Sequence, residues 1–516
     1  IHSNQESNPN MSTTGNNTNL MYYTSSIAPI YPAFVRVVDA AGNVIVKKDQ
    51  YGHDGYDYGI NDYGGLGTRP FMSNGNPLGA NLYNQVKSIG DQLNGTFMAD
   101  VNITSFLKAN ATSTVILGQT NYSDYQNPFY GPAAGTNGRI QKTGTTGFRT
   151  NNVQTLTYFQ DFGRHNVNVM VGHEYYRATT KYLAATAKGG FSPDIPEINA
   201  FATKNDASSY TTVYNVEGYF GNAQYNYAEK YFVSASYRRD ASSYFAKEHR
   251  WGNFWSLGGA WLISKEDFFN VEWIDELKLK ASYGSQGNDN IGDYRYITTY
   301  EIVNANGNPA AVPYAMGNKD ITWETNGNFN VGIDFAVLKN RLSGTVEYFN
   351  RKTSDMLFSF PLPPTMGFTS YYSNVGDMRN TGVELELEGT PIKTNDMKWT
   401  ISLNFTHYKN KITYLSEKSK TLKVDGVSGY SSGSFFYGEG EPLYTYYLYK
   451  YAGVNEKGES LFYKDIKDKD GNVTGVETTT KPSEATQHLC GTALPDMYGG
   501  FGTSFEYKGI DFSIDF

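Results

Sequence analysis

Histidine, cysteine and acidic residues are the side chains of this sequence whose types suit metal or acid–base chemistry. The chain has 7 histidines and a single cysteine, Cys490. His165 and His173 are separated by a turn and a strand, and no two histidines have the close spacing of metal ligands. The histidines are therefore interpreted as structural. A lone cysteine excludes a disulfide framework within the chain and a cysteine-rich zinc site.

An acidic run late in the chain is the candidate cation site. Asp465, Asp468 and Asp470, followed by Gly471, are similar to the start of a calcium-binding loop. The acidic residue that would complete such a loop does not occupy the required later position, because residues 474–476 come before Glu477. A charged surface turn is the better interpretation, with a calcium ion in an outer loop as the alternative. No other cofactor is predicted.

Catalytic motifs do not emerge from the sequence. Glu384, Glu386 and Glu388 share one face of a strand, where they are better explained as the lining of a hydrated interior. The glycines of 499–502 lack the Lys-Ser/Thr of a phosphate-binding loop, and no serine lies in a Gly-x-Ser-x-Gly elbow. We therefore predict no catalytic residue and no enzymatic activity.

Composition narrows the class of protein. The 516 residues carry a net charge of -8, with 18% charged and 15% aromatic residues. Soluble proteins average roughly 25% charged residues. A mildly acidic chain lacks the excess of basic residues that binds the phosphates of nucleic acid. The sequence has no apolar stretch long enough to predict a transmembrane helix.

Both ends of the sequence interrupt a pattern. Ile1 stands where an initiator methionine would, and no basic and apolar leader follows it. The closing residues 510–516 alternate between apolar and polar up to Phe516. We expect the chain to be an internal piece of a longer protein.

Alternation of apolar and polar residues is the dominant pattern of the chain. In Trp399 to Phe405, Trp, Ile, Leu and Phe alternate with Thr, Ser and Asn. Residues 231–238, 329–337 and 383–388 show the same period of two. This period predicts antiparallel strands with one apolar and one polar face. We predict about sixteen strands of roughly 9–13 residues, long enough to cross a bilayer.

The connections between these strands are predicted to alternate in length. Short connections are expected near 163–165, 228–230, 264–275, 339–340, 391–397, 456–459 and 508–509. Long connections are expected at 177–211, 240–250, 287–325, 353–378, 411–441 and 467–497. Short turns at one end and long loops at the other are typical of a transmembrane β-barrel, and compact soluble domains rarely hold several long loops. Trp261, Phe268 and Trp273 near a short turn fit an interfacial aromatic girdle, although a soluble sandwich core is the alternative.

Two regions are distinguished along the chain. Residues 1–90 are rich in Asn, Gly, Tyr and Pro, and only 34–38 and 44–47 look extended, as a small hairpin. We interpret this region as a large loop on the outer face. Residues 91–516 are interpreted as the strands and loops of the barrel.

Several segments resemble the SusC/RagA-type TonB-dependent transporters of the Bacteroidota outer membrane. Arg238 to Phe245, with Gly259-Ala260-Trp261 after it, is similar to the family's Arg-x-Asp-Gly-Ser-Ser-x-Phe loop and next strand. Residues 280–289 are similar to its Ser-Tyr-Gly-x-x-Gly-Asn strand end, and 374–384 to its Asn-x-Gly-x-x-x-Asn-x-Gly-x-Glu segment. These motifs occur in the family's order over nearly the whole chain.

This resemblance implies a 22-stranded outer-membrane barrel with long extracellular loops and short periplasmic turns. A plug domain would precede residue 1, and closing strands would follow Phe516. Members of the family import glycans or peptides, with a SusD-like lipoprotein as an extracellular lid and energy from TonB–ExbB–ExbD acting through the plug. A dimer of transporter–lid pairs in outer-membrane lipid is also implied.

Loop tyrosines are the predicted substrate-binding residues. Their rings suit stacking on sugar faces or peptide side chains. They are Tyr56, Tyr58, Tyr63, Tyr371 and Tyr372. Packing within the loops is the alternative role for each of them. A secreted β-rich adhesin or glycan-binding protein is the alternative function, and a glycan-degrading enzyme with paired carboxylates is a third.

Overall fold

The computed structural model describes residues 2–7, 20–48, 52–59, 69–70, 75–128, 133–192, 194–362, 364–368, 370–469 and 472–516. The chain divides into two compact units. Unit 1 comprises Ile1–Met98, Thr112–Asn152 and Tyr176–Tyr214, and unit 2 comprises Ala99–Ala111, Val153–Tyr175 and Asn215–Phe516. Among the described residues, no helix combines the length and the apolar character needed to cross a membrane.

Nearly all regular structure is extended. The strands are β1 (His2–Ser7), β2 (Arg36–Val38), β3 (Val44–Val46), β4 (Gln85–Asn102), β5 (Leu107–Gln126), β6 (Arg139–Phe162), β7 (His165–Gly190), β8 (Phe201–Tyr227), β9 (Tyr231–Ser242), β10 (Trp251–Leu262), β11 (Ile274–Asn288), β12 (Thr299–Ala305), β13 (Asn308–Ala315), β14 (Glu324–Val337), β15 (Leu342–Ser354), β16 (Leu357–Pro361), β17 (Ser370–Asn374), β18 (Gly376–Lys393), β19 (Met397–Leu415), β20 (Leu422–Val424), β21 (Val427–Ser432), β22 (Phe435–Gly438), β23 (Thr445–Tyr449), β24 (Tyr451–Val454), β25 (Ser460–Lys467), β26 (Val473–Thr479), β27 (Gln487–Thr492), β28 (Met497–Tyr507) and β29 (Ile510–Asp515).

Helices are short. The α-helices of the described residues are α1 (Leu20–Ser26) and α2 (Pro77–Tyr83). Pro77 begins α2, where its missing N–H costs nothing, and the Asn76 side chain accepts hydrogen bonds from the backbone N–H groups of Leu78 and Gly79. Single 3₁₀ turns lie at Ala134–Thr136, Ile198–Ala200, Ile263–Lys265, Pro364–Met366, Glu417–Ser419 and Pro482–Glu484.

One antiparallel sheet dominates the topology. Its strand order is β1-β4-β5-β6-β7-β8-β9-β10-β11-β14-β15-β18-β19-β28-β29. Strands skipped in this order form small sheets of their own: β2-β3, β12-β13, β16-β17, β20-β21-β22-β23-β27 and β24-β25-β26. The small sheets of unit 2 are all inserted at the same end of the strands, in the connections that follow β11, β15 and β19. The predicted long loops are therefore partly folded.

The opposite end of the unit 2 strands carries tight turns, as predicted. Strands β14 and β15 are joined by residues 338–341, and β28 and β29 by Lys508-Gly509. Gly509 has φ +86°, a left-handed conformation that glycine adopts without a steric penalty. A turn of fixed length sets the register of the two strands that it joins. A slip of one residue would move every side chain of a strand to the other face.

The unit 2 strands have one apolar and one polar face, which confirms the predicted alternation. On the apolar face, Leu403 of β19 lies between Leu387 of β18 and Phe501 of β28. Leu403 is 40% exposed and Phe405 is 38% exposed. These side chains are therefore not packed in a closed core, and the apolar face is suited to contact with lipid.

Unit 1 has its own small core. Tyr125, Ile140, Ala187 and Phe201 are buried together, with the Tyr125 and Phe201 rings 6.1 Å apart and edge to face. Strands β2 and β3 form the small hairpin expected near residue 42, and the Asp39 carboxylate accepts a hydrogen bond of 2.8 Å from the Asn43 N–H across its turn.

Several predicted boundaries were wrong. Residues 442–467 were expected to supply barrel strands joined at 456–459, but β23 to β25 belong to the small sheets of one long insertion between β19 and β28. Residues 177–211 were expected to be a loop, but β7 continues to Gly190 and β8 begins at Phe201. Period-two alternation does not reveal which strand a segment pairs with, so it cannot separate these cases.

The division near residue 90 also differs from the structure. Strand β4 begins at Gln85, ahead of the predicted division. Strand β1 pairs with it in the main sheet, with His2 opposite Asp91, so residues 2–7 are not loop. The location of the remaining part of 1–90 on the outer face stays a prediction.

Candidate functional site

The polar face of the unit 2 sheet carries a groove. A cavity of about 900 Å³ runs across β9, β10, β11 and β14. Its lining is mainly hydroxyl and amide side chains: Ser234, Ser236, Ser256, Ser282, Ser285, Gln286, Asn328 and Asn330. A second cavity of about 400 Å³ continues it toward the turn end of the same strands. Such groups can exchange hydrogen bonds with water for hydrogen bonds with a polar ligand.

Glycine residues deepen this groove. A Cβ atom at Gly258 would lie 2.8 Å from Ser234 Oγ, and a Cβ atom at Gly284 would lie 2.6 Å from Ser256 Cβ. Both positions face the groove on neighbouring strands, since Gly258 pairs with Ser282 and Gly284 pairs with Ser256. Small side chains on β10 and β11 therefore create a trough that larger residues would fill.

The Arg238 guanidinium in the groove is paired with carboxylates of the wall. Arg238 Nε lies 2.7 Å from the Asp240 carboxylate, and Arg238 Nη2 lies 2.7 Å from the Glu174 carboxylate. Asp240 is buried, and the Arg238 guanidinium also lies over the Phe220 ring at 5.3 Å. Burial of a charge is tolerated when a partner and hydrogen bonds compensate it. One guanidinium with two carboxylates leaves an excess of negative charge, so a ligand need not supply an anion at this point.

A second charged group lies farther along the same face. Lys280 Nζ is 2.8 Å from the Asp334 carboxylate and 3.6 Å from the Glu347 carboxylate. Arg351 lies 3.5 Å from Glu384 and 4.4 Å from the centre of the Phe349 ring. The predicted lining role of the glutamates at 384–388 fits this arrangement, because Glu384 and Glu386 lie on the polar face with Glu347 and Thr345.

An aromatic cluster closes the loop end of the groove. Phe245, Phe254, Ile291, Ile321 and Trp323 are buried together. The Phe254 and Trp323 rings are 5.3 Å apart, and both line the groove. A Cβ atom at Gly287 would lie 2.1 Å from the Phe254 ring, so a larger residue at this position would displace the ring. Trp323 Nε1 donates to the Arg250 carbonyl oxygen at 2.8 Å.

The two predicted tyrosines of unit 2 belong to the loops above this cluster. Tyr372 of β17 packs against the cluster, and the Arg295 guanidinium lies 4.5 Å from the centre of its ring. Asn318 Nδ2 donates to the Tyr372 carbonyl oxygen at 3.0 Å. Tyr371 pairs with Met316 in an isolated parallel bridge. Both tyrosines are half-buried, so the structure brings them together at the rim of unit 2.

The remaining predicted tyrosines lie in the first region. The Tyr56 ring is 4.8 Å from Phe34 and 5.8 Å from Tyr83. Tyr58 is buried, with 4% of its surface exposed. Tyr63 lies outside the described residues. Substrate contact by Tyr56 and Tyr58 stays a prediction, and the ring contacts of Tyr56 lie within unit 1.

The long insertion is anchored to β19 near the same end. Ile412, Leu415, Tyr430 and Tyr437 form a buried cluster. The Leu415 N–H donates to Glu439 Oε1 at 2.8 Å. That hydrogen bond, with a smaller contribution from Lys420, lowers the pKa of Glu439, while burial raises the pKa of Tyr437.

The predicted acidic run lies in this insertion and has other partners. Asp465 lies 3.6 Å from His488 Nε2, and Asp468 Oδ1 accepts a hydrogen bond of 2.8 Å from the Asn472 N–H. Asp470 and Gly471 lie outside the described residues. In the described part of the chain, no group of three His, Cys, Asp or Glu side chains is placed to hold a metal ion. A calcium ion there stays a prediction.

Sequence reasoning missed the groove residues Phe254 and Trp323. One signal was available: Phe254 is an apolar side chain among Gly252, Ser256 and Gly258 on the polar face of β10. Trp323 has no comparable signal, because it follows an irregular loop and its position depends on packing.

Comparison with known proteins places this geometry in context. The model of a family described as "TonB dependent receptor-like, beta-barrel" matches residues 40–512. TonB-dependent receptor P3 of Formosa agariphila is 29% identical over 375 residues, which cover 70% of this chain and 37% of that protein. TonB-dependent receptor SusC of Bacteroides thetaiotaomicron is 26% identical over 394 residues, covering 70% of this chain and 36% of that protein. None of these names is that of an enzyme.

A solved structure described as the RagAB peptide transporter is also similar. It superposes with a TM-score of 0.76 at 26% identity, covering 90% of this chain and 51% of that one. The chain thus spans about half of that transporter chain and less than two-fifths of the relatives named above.

Proposed function

Because the chain belongs to the family of TonB-dependent receptor-like β-barrels of the outer membrane, we propose that it takes part in the active import of oligosaccharides or oligopeptides. The proposed import is energised by TonB–ExbB–ExbD. A SusD-like lipoprotein is the proposed lid, in a dimer of transporter–lid pairs. SusC and RagAB, the latter described as a peptide transporter, are the relatives that support this proposal.

The observation that carries the proposal is the polar trough with internally paired charges. Its serine, asparagine and glutamine side chains offer many donors and acceptors. Arg238 already has Asp240 and Glu174 as partners, so a ligand need not supply an anion there. Such a surface suits a hydrated oligosaccharide or oligopeptide that forms many weak hydrogen bonds. Each hydrogen bond to the groove replaces one to water at little net cost in free energy.

The half-buried Tyr371 and Tyr372 are proposed to contribute stacking contacts at the rim. The exposed apolar face of the same strands argues against a secreted protein that is soluble without detergent, because such a large apolar surface would be unfavourable in water.

Two neighbouring glycines provide a matched test. Gly258→Leu adds a side chain on the groove side of β10, and Gly259→Leu adds the same side chain on the apolar face. The gene for each variant replaces the wild-type gene in the native host. The uptake of labelled glycan and peptide pools by these cells is then measured. Gly258→Leu is expected to reduce uptake at least tenfold at equal amounts of folded protein, and Gly259→Leu to leave uptake within about twofold. Equal uptake in both variants would contradict the proposal.

A further inference from the structure

A row of cations crosses the apolar face of unit 2. Lys352 of β15 lies directly opposite Arg379 of β18, and Arg379 lies directly opposite Lys411 of β19. All three side chains are exposed. The register that places them in one row also places Val383, Leu403 and Phe405 on the same face, nearer the turn end. The row therefore lies beyond the apolar band, toward the long loops.

The row is incompletely neutralised by the protein itself. Lys352 Nζ lies 2.9 Å from the Asp377 carboxylate. Within the described residues, neither Arg379 nor Lys411 has a carboxylate within 4.0 Å. Lys409, one alternate position before Lys411, is a further exposed cation on the same face of β19. Like charges directly opposite one another on paired strands are destabilising, since their Cβ atoms are about 5 Å apart. An anion bound across the row would relieve that repulsion.

The position of the row indicates which anion. From Trp399 to Phe405, the apolar side chains of β19 extend over about 20 Å of strand. Their exposed face continues directly into His407, Lys409 and Lys411. In an outer-membrane barrel, an apolar band of this kind contacts acyl chains, and the side chains just beyond it meet the headgroups. With the long loops outside the cell, these headgroups belong to the outer leaflet.

We propose that Lys352, Arg379 and Lys411 form a binding site for the phosphate groups of an outer-leaflet glycolipid. The arginine fork provides paired N–H donors for phosphate oxygens, and the two lysines on either side provide point charges. Asp377 holds Lys352 at the edge of the row. This site rests on the outer-membrane location, on the proposed orientation with the long loops outside the cell, and on the register of the sheet. It does not depend on the imported substrate.

Native mass spectrometry of the full-length protein in detergent tests this site. The probe is bisphosphorylated lipid A, with dephosphorylated lipid A as the comparison. The triple variant Lys352→Gln/Arg379→Gln/Lys411→Gln removes the row. Lys457→Gln/Lys467→Gln/Lys469→Gln removes three exposed lysines of the insertion and serves as the matched control. Heat-dependent gel migration confirms that each variant is folded.

The row variant is expected to bind bisphosphorylated lipid A about 10- to 100-fold more weakly than wild type. The insertion control should bind it as wild type does. Wild type should bind dephosphorylated lipid A no better than the row variant binds the bisphosphorylated form. The proposal is overturned if the row variant binds like wild type, or if removal of the phosphates leaves wild-type binding unchanged.

Discussion

At the scale of single residues, the most informative contact is the ion pair between Arg238 and Asp240 in the groove wall. Asp240 is buried and its carboxylate is paired with Arg238, whereas Arg239, the next residue, is exposed on the opposite face. Removing one member of a partly buried pair leaves a charge without compensation, which costs more than removing both. The two adjacent arginines should therefore respond very differently to the same substitution.

We expect Arg238→Gln to destabilise the folded barrel by about 2 kcal/mol, because Asp240 loses its closest cation. Arg239→Gln is expected to change stability by less than about 0.5 kcal/mol. The measurement is the midpoint temperature of heat-dependent gel migration in detergent. The double variant Arg238→Gln/Asp240→Asn should recover part of the loss. A double variant less stable than Arg238→Gln would show that the pair is not the cause.

Glu266 carries a prediction about pH at the turn end. Hydrogen bonds from Tyr231, from Trp261 Nε1 at 3.0 Å and from Lys230 lower its pKa to about 2. A carboxyl group whose pKa is lowered by folding stabilises the folded state at pH values above 4.5, the pKa of this group in the unfolded chain. That stabilisation is lost as the pH falls toward 2. Glu266→Gln should therefore lose less stability than wild type between pH 5 and pH 2, measured by thermal midpoint. Glu272→Gln, an exposed acid of the same connection, should follow the wild-type profile.

At the scale of elements, loops at the mouth of unit 2 are held by one buried cluster. Trp323, at the end of the connection between β11 and β14, packs on Phe254 of β10 and donates to a carbonyl of the connection between β9 and β10. Asn374 donates to the Thr322 carbonyl oxygen at 3.1 Å, which links the connection after β15 to the same place. Three predicted loops are thus connected into one rim.

Trp323→Ala should loosen all three loops while the strands remain folded. Truncation of a buried tryptophan lowers stability by about 3–5 kcal/mol, and here the loss should destabilise the loops of the rim. Hydrogen exchange is expected to rise in residues 243–250, 289–323 and 355–375 and to stay unchanged in β18 and β19. Trp273→Ala, at an exposed tryptophan of the turn end, is the control. Unchanged exchange in the rim of Trp323→Ala would refute the linkage.

At the scale of the whole molecule, the direction of the strands across the membrane determines which connections lie outside the cell. The single Cys490 is exposed in the insertion between β19 and β28, at the loop end. Asp396 lies in the short turn between β18 and β19. With long loops outside the cell, a membrane-impermeant maleimide should label Cys490 on intact cells. In Cys490→Ser/Asp396→Cys, labelling should require permeabilisation of the outer membrane. The reverse result would invert the orientation.

The sequence by itself determined the strands, their two faces and the family resemblance. Alternation is a local property, because successive side chains of an extended backbone point to opposite sides whatever lies beside the strand. Only the tertiary structure decided that residues 442–467 belong to an insertion, that Phe254 lies on Gly287 beside Trp323, and that Lys352, Arg379 and Lys411 form one row. These features depend on register and on pairing between distant segments, and a one-residue slip would move every side chain of a strand to the other face.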